Sequence, residues 1–360
     1  MILKVQDVKT LKEFIYFPKT LYANSKEFCH PIYSSLIKEL KHEVLKTNNY
    51  TALLYKENGK ILARIMYTVT FNNKLNKNVC YFSFFDAVND INAVKQLFSY
   101  LENDVKEKTN YIEGTFSPYD PDTRRGVLIK GYDEPHTLFT SYNYSYYGKL
   151  LEALNYTKAY DTFTIKVKPT AEIYSKIERI AKLSQKKYGV EVKSFSYKNL
   201  KKDLSDVHKI MSEATTELNY QEAPSFALIY KSFKSLRFFI NPKLVKIARI
   251  NGEPVGFSFT ILDYNEVLSK TNGKINLFTF FKNKNKITRC RGMLQYVIPK
   301  YQMKGTLAQL INETYSDMNK LGITYFEGGT ILEENTSSYM PYVNLGGEIS
   351  KIYRIYKKEL

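Results

Sequence analysis

The chain has 360 residues, 44% of them hydrophobic and 25% charged, a balance that excludes a disordered protein and predicts about two or three folded domains. Its 53 basic and 36 acidic residues give a net charge of +17, which favours an anionic partner (nucleic acid, a membrane face or a phosphate-rich small molecule), although a solvated lysine-rich surface explains the charge equally well. No window approaches 18 consecutive apolar residues and the start lacks the apolar stretch of a signal peptide, so the sequence excludes a membrane-spanning helix and predicts a cytoplasmic protein.

The first half of the chain opens with a predicted strand and helix. Alternating apolar residues predict a strand over 2–8, and Thr10 with Glu13 forms a capping box that predicts the start of a helix. The turn Asn58-Gly59 between two alternating runs predicts a hairpin, because both residues tolerate positive φ. A strand over 110–117 then precedes a closing helix, turn and strand.

The second half repeats this order after a connecting helix. The apolar spacing predicts that helix over 171–188, with Gly189 as its C-terminal stop. A strand, a helix over 200–218 and a second hairpin with the turn Asn251-Gly252 follow. A strand over 323–330 again precedes a helix, a turn and a closing strand.

The spacing between matching residues indicates an internal repeat. Asn58 and Asn251 lie 193 positions apart, Glu113 and Glu327 lie 214 apart, and Leu154 and Leu345 lie 191 apart. The offset rises and then falls back, which predicts one insertion at about 118–140 and another at about 263–286. We therefore predict two domains, 1–168 and 169–360.

A strand followed by a basic loop and a helix is the feature of the second half that favours ligand binding. The predicted strand over 294–298 ends at a proline, and after Gly305 the apolar spacing predicts a helix to about Lys320 that stops at Gly322. The first turn of such a helix has unpaired N–H groups and a partial positive charge, and Lys304 adds a full charge. The loop suits a pyrophosphate, with an ordinary turn as the alternative.

The segment after this helix gives the loop a family context. The order strand, basic turn, helix, strand, followed by Asn335, Ser338, Tyr342 and Gly346, resembles the GNAT superfamily of acyl-CoA-dependent N-acyltransferases. The pyrophosphate loop of that family, Gln/Arg-x-x-Gly-x-Gly/Ala, matches at Gln302 and Gly305, whereas Leu307 replaces the small last residue. The whole chain also resembles tandem-GNAT bacterial proteins of similar length, through residues 14–18, 263–265 and 353–356.

The resemblance implies an α+β fold of three-layer type, with two GNAT-like domains in tandem, each a mixed, mostly antiparallel sheet flanked by helices. It also implies direct attack of a neutral amine on the thioester of acetyl-CoA or a longer acyl-CoA, with no covalent intermediate. In this reading Tyr342 protonates the departing thiolate and Asn335 lies near the pantetheine arm. The implied CoA-binding residues of the strand end and loop are Val297, Ile298, Gln302, Met303, Lys304, Gly305, Thr306 and Leu307. We expect Gly305→Asp to abolish CoA binding without affecting the fold.

The general base has no clear signal in the sequence. Glu327 shares a strand face with apolar neighbours, which would raise the pKa of its carboxyl and suit a base. Glu113 occupies the matching place in the first half, so a shared structural role explains both residues equally well. Glu333 and Glu334 are the next candidates. Single, scattered histidines and cysteines predict no metal site.

The first half has no basic glycine loop, so we interpret it as a degenerate copy that shapes the substrate cleft. Its insertion, with Arg124 and Arg125, either lines the acceptor site or is a surface loop. The other insertion has a Phe-rich stretch over 275–281 followed by lysines. That stretch either contacts a membrane face or an acyl chain, or packs between the domains.

The sequence therefore predicts an N-acyltransferase whose acceptor is a small-molecule or lipid amine, in the cytoplasm with peripheral membrane contact as an option. Two alternatives stay open. Fem-type transferases use aminoacyl-tRNA and would suit the positive charge, although neither insertion is long enough for the coiled-coil arm that they commonly carry. A GNAT module that binds CoA without turnover is the other.

Overall fold

A computed structural model describes residues 1–118, 124–168, 170–216, 223–274 and 282–360. Its strands are β1 (Ile2–Lys4), β2 (Thr51–Glu57), β3 (Lys60–Asn72), β4 (Lys77–Ala87), β5 (Tyr111–Gly114), β6 (Val127–Lys130), β7 (Thr157–Val167), β8 (Val190–Ser194), β9 (Val245–Ile250), β10 (Glu253–Leu262), β11 (Arg289–Val297), β12 (Tyr325–Leu332) and β13 (Glu348–Glu359). Its α-helices are α1 (Val8–Leu21), α2 (Tyr33–Leu40), α3 (Ile91–Val105), α4 (Tyr147–Glu152), α5 (Ala171–Tyr188), α6 (Leu200–Ala214), α7 (Phe226–Leu236), α8 (Asn265–Leu268), α9 (Thr306–Lys320) and α10 (Thr336–Val343).

Most predicted turns and stops are confirmed. Asn58 and Asn251 both have positive φ, at 49° and 50°, in the tight turns β2–β3 and β9–β10. Gly189 ends α5 with a φ of 65°. The predicted capping box of α1 is wrong, because the helix begins earlier: Asp7 is the N-cap, and its carboxylate accepts from the N–H of Thr10 at 2.7 Å.

The two halves exchange their closing strands. The order across the sheet is β1-β2-β3-β4-β5-β13-β7-β12-β11-β10-β9-β8, and β6 also pairs with β13. Thus β13, from the end of the chain, pairs with β5 of the first half, and β7 of the first half pairs with β12 of the second. The exchange is symmetric, since Lys166 lies opposite Glu327 and Lys357 lies opposite Glu113.

The fold is the expected α+β arrangement, with one difference from the prediction. The described strands form a single mixed sheet that runs through both halves instead of one sheet for each. Helices α3 and α4 contribute to a core with β3, β4 and the end of β13, and α5, α9 and α10 contribute to a second core with β7 and β12. The boundary at residue 168 stays a prediction. Strands β7 and β13 each pair with a strand from the other side of it. None of the helices in the described ranges is both long and apolar enough to cross a membrane.

Candidate active site

A single cleft of about 2120 Å³ extends along both halves of the molecule. Its walls include β4 and the residues after β5 in the first half, and β10, β11, α6 and α7 in the second. The starts of α9 and α10 also line it. Ligand pockets commonly measure about 300–1,000 Å³, so this volume accommodates a large ligand or two ligands together.

Strand β11 separates from β12 at the cleft. The parallel pairs run from Arg289 with Tyr325 to Gly292 with Gly328 and then stop. On its other edge β11 stays paired with β10 as far as Val297, through a bulge. Residues 293–297 therefore present one backbone edge to the cleft without a β12 partner. The strand that the sequence predicted over 294–298 is thus the end of β11 that separates from β12.

The N-terminus of α9 faces the same cleft and has no side-chain cap. Its N-cap is Gly305, at a φ of 73°, and no side chain in the described ranges hydrogen-bonds to the first turn. The first backbone bond of the helix goes from the N–H of Gln309 to Gly305, at 3.0 Å, which leaves the N–H groups of residues 306–308 available. Gln302, Met303 and Leu307 also line the cleft.

The matching helix in the first half is capped by its own sequence. Asp90 is the N-cap of α3, and its carboxylate accepts from the N–H groups of Asn92 at 2.8 Å and Ala93 at 3.3 Å. An anion is therefore already present where a phosphate would bind, and it would repel one. This gives a physical reason for interpreting the first half as the degenerate copy.

Two of the predicted CoA-binding residues do not line the cleft. Ile298 is 3% exposed in a core cluster, and neither it nor Lys304 belongs to the described lining. The Lys304 carbonyl accepts from the hydroxyl of Ser184 on α5 at 2.8 Å. A Cβ on Gly305 would lie 2.6 Å from Cβ of Ser184, so the glycine is needed for packing and for its positive φ. The expectation that Gly305→Asp leaves the fold intact is therefore wrong.

Helix α10 has the predicted asparagine at its start and the predicted tyrosine near its end. Asn335 is the N-cap, and its side-chain oxygen accepts from the N–H of Ser338. Pro341 lies inside the helix and provides no N–H group there. Tyr342 is 7% exposed and lines the cleft, and its phenol donates to Oε1 of Gln295 on β11. Burial raises the pKa of Tyr342 well above its usual value, so the phenol carries its proton at neutral pH.

Glu327 lies in the interior of the sheet and away from the cleft. It is 0% exposed and accepts from the hydroxyls of Thr137 at 2.9 Å and Tyr325 at 3.0 Å, and from Nζ of Lys351 at 3.1 Å. A carboxylate with these partners is placed to hold the strands together, and not to receive a proton from a substrate. The structure thus favours the structural alternative for Glu327.

The repeat supports that alternative, because Glu113 has the same kind of neighbour. The phenol of Tyr111, two residues earlier on the strand, donates to Glu113 at 3.3 Å, as Tyr325 does to Glu327. Glu333 accepts from Lys158 at 2.6 Å and from the N–H of Asp161. Neither Glu333 nor Glu334 belongs to the described lining of the cleft.

Two lining groups were not predicted from the sequence. His136 is 7% exposed; its Nε2 accepts from the N–H of Cys29 at 3.2 Å, and its Nδ1 has no hydrogen-bond partner among the described residues. This bond assigns the proton to Nδ1, so the ring keeps a buried N–H group without a partner among the described residues. Burial and the nearby Lys351 lower its pKa to about 3, so the ring is neutral at physiological pH.

The second unpredicted group is a buried ion pair in the first half. Arg64 binds the carboxylate of Asp86 at 2.6 Å, and the phenols of Tyr22 and Tyr147 donate to the same carboxylate at 2.7 and 3.3 Å. No local motif marks these four residues, because they are distant in sequence. Of the two insertions, Arg124 and Arg125 line the cleft, whereas the Phe-rich stretch over 275–281 lies outside the described residues.

Comparisons with known proteins concern the fold. No protein-family model matches the chain. It is 23% identical over 366 residues to protein YghO of Escherichia coli, covering 97% of this chain and 93% of that protein. It is 26% identical over 245 residues to a bacterial ceramide synthase of Caulobacter vibrioides, covering 65% of this chain and 63% of that enzyme. A solved tandem GNAT protein from the clavulanic acid biosynthesis pathway superimposes with a TM-score of 0.58 at 9% identity, over 100% of this chain and 98% of the other. The fold is a tandem GNAT fold.

Proposed function

We propose that this protein transfers an acyl group from acyl-CoA to a primary amine by direct attack of the neutral amine on the thioester. The observation that carries the proposal is the uncapped start of α9 beside the free edge of β11, both on one cleft. A helix start offers N–H groups and positive potential to a pyrophosphate, and a strand edge offers an N–H group to the thioester oxygen. The capped helix of the first half provides the contrast.

In this proposal, different parts of the second half would bind the pyrophosphate, stabilise the oxyanion and protonate the leaving group. The N–H groups of residues 306–308 would hold the pyrophosphate, and the free edge over 293–297 would hold the thioester carbonyl and stabilise the oxyanion. The amine nitrogen forms a bond to the carbonyl carbon, and the bond from carbon to sulfur breaks. Tyr342, held by Gln295, would give its proton to the departing thiolate. No carboxylate of the second half lines the described cleft, so the proton of the ammonium would leave through water.

A long-chain amine is the acceptor that we propose. The cleft exceeds the room that a CoA arm and a small amine need, and it is lined by many apolar and aromatic side chains of both halves, among them Phe84, Phe257 and Leu294. The name of one relative, a bacterial ceramide synthase, supports an acceptor that carries a long hydrocarbon chain. A longer acyl group on CoA fits the same volume.

The decisive experiment places a charge at the start of α9. Ala308 is half-buried in the third position of the helix and lines the cleft. Ala308→Asp should leave the fold stable, because acidic residues suit a helix N-terminus, and should weaken acyl-CoA binding about 100-fold by repulsion. Ala308→Asn has nearly the same shape without the charge and is the matched control.

Two measurements distinguish the outcomes. Calorimetry with acyl-CoA reports binding, and release of free CoA thiol with a long-chain or a short primary amine reports transfer. Equal binding by both variants and the parent would exclude the α9 site. Binding without thiol release by any amine would leave a CoA-binding module and disprove the transferase.

A further inference from the structure

Helix α7 is unusually exposed for an apolar helix. Its sequence, FALIYKSFKSL, is capped by Ser225, yet none of its residues is fully buried. Phe226, Ile229 and Phe233 form the inner side and pack partly against a small core cluster. The remaining sides of the helix are exposed.

The open face combines apolar and basic side chains. Leu228 is 48% exposed and Tyr230 is 45% exposed, and Phe238, just beyond the helix, is 75% exposed. Lys231, Lys234 and Arg237 lie among them. We call these six residues the α7 face.

The charge of this face has one sign. The sequence has no acidic residue between positions 223 and 252. Among the described residues, no carboxylate forms an ion pair with Lys231, Lys234 or Arg237, and the guanidinium of Arg237 lies 4.5 Å from the ring centre of Phe238. Exposed aromatic and aliphatic groups beside unpaired cations are the pattern of a helix that lies in a membrane interface.

We infer that the α7 face docks the protein on an anionic phospholipid surface. The charge complementarity favours such a surface, because lysine and arginine near anionic headgroups each strengthen binding about fivefold, and Phe238 and Leu228 can enter the headgroup region. Leu228 and Lys231 also line the cleft, so docking would bring the cleft rim to the bilayer. The inference concerns binding and stands whether or not the protein transfers acyl groups.

The chain has no tryptophan, so a tryptophan introduced by substitution would be the only source of indole fluorescence. Phe238→Trp introduces a single indole on the α7 face, and its emission should shift to the blue when vesicles of equal parts phosphatidylcholine and phosphatidylglycerol are added. Vesicles of phosphatidylcholine alone should give no shift, and added salt should weaken binding. Tyr100→Trp, on α3 of the first half at a position 39% exposed, is the matched control and should not shift.

Neutralising the basic residues tests the charge. Lys231→Gln, Lys234→Gln and Arg237→Gln together should lower the vesicle partition coefficient about 100-fold. Lys12→Gln, Lys95→Gln and Lys106→Gln remove the same charge from exposed positions on the first half and should change it little. Thermal unfolding shows whether both triple variants fold.

An equal effect of the two triple variants would overturn the inference, because it would mean general attraction by net charge. A blue shift for Tyr100→Trp equal to that for Phe238→Trp would also overturn it. A dimer in light scattering that buries Phe238 without lipid would assign the face to a second copy instead.

Discussion

The phenol of Tyr342 donates a hydrogen bond to Oε1 of Gln295 at 2.5 Å and so joins α10 to the strand that separates from the sheet. The ring of Tyr342 stacks on that of Phe326 with 5.6 Å between the ring centres, which fixes its orientation. The phenol is thus held in one orientation at the border of the cleft, beside the free edge of β11.

Tyr342→Phe should lower kcat by about 100-fold or more, because it removes the proton donor to the departing thiolate. Acyl-CoA affinity should be nearly unchanged, since the proposed pyrophosphate site is at α9. Steady-state kinetics with calorimetry measures both quantities. Tyr339→Phe, one turn earlier and outside the described cleft lining, is the control. Parent-like kcat in Tyr342→Phe would remove the tyrosine from the mechanism.

Glu327 and Lys351 should behave as a structural pair. Lys351→Met leaves the Glu327 carboxylate buried without its cation and should lower the free energy of unfolding by about 3–5 kcal/mol. Lys351→Met combined with Glu327→Gln should recover much of that loss, because no unpaired charge remains. Urea unfolding measures these differences.

Glu327→Gln alone distinguishes the structural role from general-base catalysis. We expect the turnover rate of this variant to stay close to that of the parent at a temperature where the variant is folded. If a folded Glu327→Gln protein instead turned over about 100-fold more slowly and with a changed pH profile, the residue would be restored as the base.

The exchanged strands predict that neither half folds well alone. A fragment of residues 1–168 lacks β13, which pairs with β5 and β6, and a fragment of residues 169–360 lacks β7, which pairs with β12. Each fragment should therefore be poorly soluble alone, and the two should associate when they are produced together. Co-purification with a tag on one fragment tests this expectation, and a stable, monomeric 1–168 fragment would contradict it.

Local sequence signals explain which features could be predicted. Asn58-Gly59 and Asn251-Gly252 fix their turns through positive φ, and Gly189 ends α5 in the same way, so no long-range information was needed. Strand exchange is different, because β7 and β13 have the same pattern whichever neighbour they pair with. The order of a sheet depends on contacts between distant segments, which a single sequence does not specify.

The same distinction between local signals and long-range contacts applies to the candidate active site. The loop pattern predicted Gln302 and Leu307 as CoA-binding residues, and both line the cleft. The hydrogen-bond partner of Tyr342 could not be predicted, because Gln295 is 47 positions away in the sequence and no sequence motif marks it. Gly305 had two compatible explanations, and only the position of Ser184 shows that the packing of α5 requires it.

The buried imidazole of His136 should make stability sensitive to acid. Its pKa is near 6.5 in the unfolded chain and is lowered to about 3 in the fold, first by burial and then by Lys351, Arg291 and Arg289. The unfolded state therefore binds the extra proton at a higher pH than the native state does. The stability that this residue contributes is complete above pH 6.5 and is lost as the pH falls toward 3. The loss amounts to about 2 kcal/mol at pH 5.

His136→Gln isolates this contribution, because the glutamine oxygen can still accept the Cys29 N–H but does not titrate. The free energy of unfolding of the parent, relative to that of His136→Gln, should fall by about 1.4 kcal/mol for each pH unit below 6.5. Urea unfolding from pH 7 to 4.5 measures the difference, and His42→Gln at an exposed position controls for the loss of a histidine. A difference that stays constant with pH would mean that the native fold does not lower the pKa of His136.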